Sequence, residues 1–263
     1  ASIWTAGTQT GAGTTRIDGN LDVSSSADKT VSGGRTLRTA GVTTWRNNSA
    51  ADTNRLLVSG NSTINNAGDW RDENAFNAAI ASQGGNNVFI NDGTYTKSGA
   101  SDTTITIGFN NNTGAVVTVS SGTLNLDGGG NSAGNFLGAG TLDFGGGTHT
   151  LSAASSTTVS NLVFSGGTTN QNGILNVNSL TISNAGTANL NTNGNTITLS
   201  QSAGTLGGTG AVTATGPSTW TGGAQTGTGT TRYNATLTVS GQADKTLAGG
   251  RTLLLTNSSQ WSG

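Results

Sequence analysis

Five short clusters in the middle of the chain recur at near-constant spacing. They are GTLNL (122–126), GTLDF (140–144), SNLVF (160–164), NSLTI (178–182) and NTITL (195–199). Their starting positions differ by 18, 20, 18 and 17. Each alternates apolar and polar side chains, the period-2 pattern of a strand with one buried face. Gly, Asn, Ser and Thr fill the intervals, as turns require. Strand intervals in a sandwich vary with loop length, whereas an interval near 18 suits one coil of a solenoid holding two or three very short strands. Matching strands of successive coils would hydrogen-bond at roughly 4.8 Å, so that each backbone group is satisfied from above and below, and about 12 to 14 coils would make a rod about 60 Å long.

The composition fits a slim core. Leu, Ile, Val and Phe number 20, 10, 13 and 6, under a fifth of the 263 residues, which is thin for one thick globular centre. Disorder would bring high net charge and few β-branched residues. This chain has a formal net charge of -1 and clusters such as TITI at 104–107. Near-neutrality gives no reason to expect nucleic acid or an anionic membrane as partner. There is no apolar run near bilayer-crossing length. The absence of Cys excludes disulfides and thiolate metal sites.

A longer repeat lies over the short one. Residues 4–45 align without gaps on 220–261 at an offset of 216, with 23 of 42 positions identical. WTAGTQTGAGTTR answers WTGGAQTGTGTTR, and ADKT and GGRTL recur in both copies. The expected architecture is therefore all-β: a parallel β-helix, wound right-handed, with coils of about 17–20 residues. It forms a single continuous solenoid over 1–263. The chain starts in mid-pattern and stops where a new unit would begin, so it is expected to be cut from a longer array. One segment, 68–82, departs from the pattern. Ala75, Phe76, Ala79 and Ile80 sit at helical spacing, and a helical or loop decoration on the rod is expected there.

TWTGGAQTGTGTT (219–231), ATLTVSGQADKTLAGGRTLL (235–254), SGTLNLDGGG (121–130) and GTLGGTGAVTATG (204–216) resemble the giant repetitive surface proteins of bacteria. These are the filamentous-haemagglutinin-like and adhesin-like β-solenoids, autotransporter passenger segments among them. The resemblance covers nearly the whole chain, least well at 68–82. It implies secretion, an extracellular or cell-surface location, and a role in adhesion, filaments or matrix. Expected partners are neighbouring repeats or copies of the same protein end to end, and surface glycans. The resemblance carries no catalytic residues to transfer.

The residues themselves offer few constellations for chemistry, and no catalytic, cofactor or metal set is expected. The close cluster Asp69, Trp70, Asp72 and Glu73 is the candidate ligand site. It would hold a saccharide or cation, the alternative reading of the chain being a carbohydrate-binding or carbohydrate-active β-helix protein, with helix capping as the plainer account. Trp4, Trp45, Trp220 and Trp261, at matching points of the two copies, are expected to pack against coils rather than form a sugar-stacking platform. His149 lacks a G-x-S-x-G partner and is expected outward or at a corner. Asp28/Arg35 and Asp244/Arg251 recur at the same separation in both copies and are expected to bridge a turn, with Lys29 and Lys245 solvated. Thr-x-Thr occurs at 104–106 and 213–215, which does not suggest a flat threonine array in consecutive coils.

Overall fold

A computed structural model describes residues 1–47 and 49–262. The described residues form 34 strands and no helix, and every strand pairing among them is parallel. The chain winds about one axis and lays down three strands per coil, one on each of three faces.

The first face begins at Ser2–Trp4, Leu21–Val23 and Val42–Trp45. The second begins at Gly7–Gln9, Lys29–Val31 and Leu56–Val58. The third begins at Gly13–Ile17, Arg35–Thr39 and Thr63–Asn66. The third face is a separate sheet of 12 strands, so there are 12 coils, with two strands of a thirteenth beyond them. At the spacing of paired strands the stack is about 58 Å long.

In the second half of the rod the first two faces are joined by strands that bend through the corner, such as Asn135–Phe144 and Ser156–Phe164. The register slips between Gly138 and Thr141, as at a β-bulge. Gly138 has φ +122°, and a Cβ there would lie 2.1 Å from the Val119 carbonyl oxygen. Only glycine lets the chain turn this corner against the coil below.

Coil length matches expectation in part. Val177, Thr196, Ala214 and Tyr233 are successive partners on the first face, and their positions differ by 19, 18 and 19. Trp45, Asp72 and Lys97 are also successive partners, but their positions differ by 27 and 25, because longer connections, among them loops at 49–55, 73–77 and 83–87, lie between faces. The expected coil length therefore holds only for the shorter coils.

The interior is a set of columns. Phe109 stacks on Phe89 at 5.3 Å and Phe164 on Phe144 at 5.8 Å, and Trp70 meets Trp45 of its own face and Phe89 across the core edge to face at 6.4 and 5.2 Å. Aromatic pairs at these separations add to plain burial. One corner column is polar. Asn66 donates to Asn91 Oδ1 at 2.7 Å, and Asn91 donates to Asn111 Oδ1 at 2.9 Å. All three are fully buried. Each amide also reaches a backbone carbonyl on the first face one coil further on: Thr94, Val116 and Asn135 respectively. The ladder thus gives these buried amides partners and ties the third face to the first across the corner.

The 68–82 decoration is not present. The segment forms the strands Asp69–Asp72 and Ala78–Ser82, paired on both sides within the stack. Ala78 and Ile80 face inward at strand spacing, while Phe76 is 37% exposed in the connecting loop. Leu56 and Ile105 flank Ile80 as register partners, so tertiary pairing overrides the local helical spacing.

The duplicated segments are related by more than translation. Ten successive pairings along the first face lead from Ser2–Trp4 to Val212–Ala214. The next strand, Ser218–Trp220, carries the second copy's tryptophan on the second face, paired with Ser200 and Gln201. The second copy therefore lies ten coils and one face beyond the first. Local structure is nevertheless kept. Arg35 donates to Thr10 O at 3.0 Å and Thr15 Oγ1 at 2.8 Å, and Arg251 to Thr226 O at 3.1 Å and Thr231 Oγ1 at 2.8 Å. The expected Asp28–Arg35 bridge does not form. Asp28 pairs with Arg55 of the next coil at 2.6 Å, and this partner lowers its pKa.

Candidate functional site

Strand alternation divides the cluster singled out from sequence. On Asp69–Asp72 the side chains of Asp69 and Arg71 face solvent, while those of Trp70 and Asp72 are completely enclosed. Outside, Arg71 Nε meets Asp69 Oδ2 at 2.8 Å, and Thr94 donates to Asp69 Oδ1 at 2.9 Å. Glu73 is exposed in the loop that follows. Inside, Tyr95 donates to Asp72 Oδ2 at 2.9 Å and Asn74 Nδ2 to Asp72 Oδ1 at 2.8 Å. Lys97, register partner of Asp72 in the next coil, donates to Gly99 O at 2.6 Å.

Burial pushes the Tyr95 hydroxyl well above its usual pKa, and the charge of Asp72 and the hydrogen bond to it push the same way. Burial lowers Lys97, against the attraction of Asp72. The four residues Asp69, Trp70, Asp72 and Glu73 thus do not form one ligand site. Two belong to a sealed core and two to the surface.

The tryptophans follow the same logic. Trp4, Trp45 and Trp220 are buried, as expected for packing. Trp261 is 63% exposed, because it lies on the last described coil and no coil of the described residues lies over it. Gly263 falls outside the described residues.

His149 faces inward, contrary to expectation. It is 2% exposed and lies 4.7 Å from the Phe144 ring. Its Nε2 is 3.0 Å from Leu126 O. The register partner in the coil below is Gly130, and the ring packs against Phe144 beneath the Leu126 carbonyl. Burial lowers the His149 pKa to about 4, so the ring is neutral at pH 7. Lys29, expected in solvent, is also enclosed, and burial lowers its pKa.

Sequence reasoning did not single out Asp143. Ser165 donates to its Oδ2 at 2.6 Å. Burial raises the pKa of both Asp143 and Asp127, and the charge of Asp127 raises Asp143 further. The signal was the recurrence of Asp in LNLD and LDF in neighbouring coils.

Sequence reasoning also missed a surface array on the third face. Thr148, Thr168, Thr187 and Thr205 are successive register partners, and so are Thr150, Asn170 and Asn189. Asn189 donates to Asn170 Oδ1 at 3.0 Å. The two outward columns, at alternate positions along each strand, form a flat strip of hydroxyl and amide groups. Thr-x-Thr does not mark this strip in the sequence, because its second column changes from Thr to Asn. No family model, curated protein or solved structure matches the chain.

Proposed function

We propose that this chain is a structural or adhesive segment of a secreted bacterial surface or filament protein, built to span distance and present its sides rather than to catalyse. The observation that carries this is the recurrence of the 4–45 unit ten coils on, within one unbroken stack and with the same Arg–Thr contacts. Such an architecture gains length by adding coils, since each coil contacts only its neighbours. The resemblance to adhesin-like solenoids supports a location at the cell surface. The third-face strip of Thr and Asn supports contact with hydroxylated ligands such as surface glycans, through hydrogen bonds repeated at the coil spacing.

Two measurements test this. Small-angle scattering on the chain should give a rod about 58 Å long, and a compact globule would overturn the spanning role. Beads coated with the chain should bind glycan-bearing surfaces. Replacing Thr168, Asn170, Thr187 and Asn189 together by Glu should abolish binding without shortening the rod. Unchanged binding would remove the third face from the adhesive role.

A further inference from the structure

The two copies of the duplicated unit see different surroundings, and the first shows what the second is shaped to receive. In the first copy, Lys29 Nζ donates to Ala27 O at 2.8 Å and Ser25 O at 3.4 Å within its own coil, and to Asn54 Oδ1 of the next. In the second, Lys245 Nζ keeps the own-coil half, to Ala243 O at 2.9 Å and Gly241 O at 2.6 Å. Trp45 is fully buried and donates to Asn54 O at 3.0 Å. Its counterpart Trp261 is 63% exposed and donates to Ser259 Oγ. Val31 is fully buried and its counterpart Leu247 is 46% exposed. Val239, Gly241, Ala243, Lys245 and Trp261 line an open groove along this edge.

The covering coil in the first copy has a defined chemistry. Leu56 and Val58 pair over Lys29 and Val31, Ile64 over Leu37, and Asp72 over Trp45. Asn54 supplies both polar contacts, its side-chain oxygen to the ammonium and its carbonyl to the indole.

We propose that the edge formed by Lys245–Leu247, Thr252–Leu255 and Ser259–Trp261 is a docking surface for one coil with the chemistry of residues 54–72. This rests on the reading of the chain as a repeat-built rod and names the partner segment. An Asn docks on Lys245 and Trp261. A Leu-x-Val strand covers Lys245 and Leu247, and an Ile covers Leu253. The exposed strand groups supply the backbone hydrogen bonds, and the asparagine and the apolar register select this coil over any other extended chain.

The test appends a copy of the 48–82 sequence after residue 263 of the full chain. Acrylamide quenching is measured together with hydrogen exchange across 245–261. Trp261 dominates quenching in the parent chain because Trp4, Trp45, Trp70 and Trp220 are buried. The expected result is that quenching falls severalfold and exchange slows. Both gains should shrink when the appended copy of Asn54 is replaced by Ala. A scrambled appended segment of the same composition should leave both at the parent level. Unchanged quenching in the extended chain, or equal protection by the scrambled segment, overturns the assignment. Light scattering on the parent provides a second arm: concentration-dependent dimers that bury Trp261 would show the occupant to be the end of another copy, which also overturns it. Rod length and glycan attachment of the parent chain do not depend on this edge, so failure here is distinguishable from failure of the functional reading.

Discussion

Tyr95 and Asp72, from neighbouring coils, meet inside the rod, with the phenolic hydroxyl donating to Oδ2 at 2.9 Å. Both side chains are fully enclosed, so the carboxylate depends on this bond and on Asn74. Tyr95→Phe should destabilise the chain by about 1.5–3 kcal/mol, the range for a hydrogen bond to a charged group. Urea denaturation of Tyr95→Phe, Asp72→Asn and the double variant should show non-additive losses. Additive losses would mean that the two residues do not support each other.

His149 gives the chain an acid sensitivity. Its folded pKa of about 4 lies below the ordinary 6.5. Above pH 6.5 both folded and unfolded chains carry a neutral ring and its contribution is flat. Between pH 6.5 and 4 the unfolded chain takes up a proton that the folded chain refuses, so stability falls as pH falls, by roughly 3 kcal/mol in all. Asp127 and Asp143, raised by burial, act in the opposite direction at the lower end. Comparison of His149→Leu with the parent chain isolates the histidine, and the variant should lose less stability between about pH 7 and 4.5. Parallel curves would show that the ring titrates normally.

The asparagine ladder makes Asn91 sensitive to truncation. Asn91→Ala leaves the amide of Asn66 and the carbonyls of Asn111 and Val116 without their partner. A loss of about 1–3 kcal/mol should follow, with faster hydrogen exchange in the strands Thr94–Lys97 and Val116–Val119.

Trp70 and Arg71 are adjacent in sequence and opposite in consequence. Trp70→Ala should cost about 3–5 kcal/mol, as for other buried aromatics. Arg71→Ala should cost under about 1 kcal/mol, because its pair with Asp69 is exposed. Thermal unfolding of the two variants checks this. Loss of glycan binding in Trp70→Ala would then report damage to the core and not a sugar platform.

The coil period was legible because inward residues such as Leu124, Leu142, Leu162 and Leu180 stand in one column and so recur at the length of a coil. The cluster at 69–73 was misread because nearness in sequence resembles nearness in space. Along a strand, adjacent side chains point to opposite sides, and the true neighbours of Asp72 come from the following coil, at Tyr95 and Lys97. Only the register brings them together. The inward turn of His149 is hidden for a similar reason, since the carbonyl that holds its ring belongs to Leu126 of another coil.

The rotation between Trp4 and Trp220 has a geometric outcome for any chain that carries the unit onward. A patch on one copy would next be displayed a third of a revolution around the shaft, and would return to its original side only in the fourth copy. Identical patches would trace a spiral, so a binder approaching from any direction would meet one, and two straight shafts lying side by side could not match every patch with its twin.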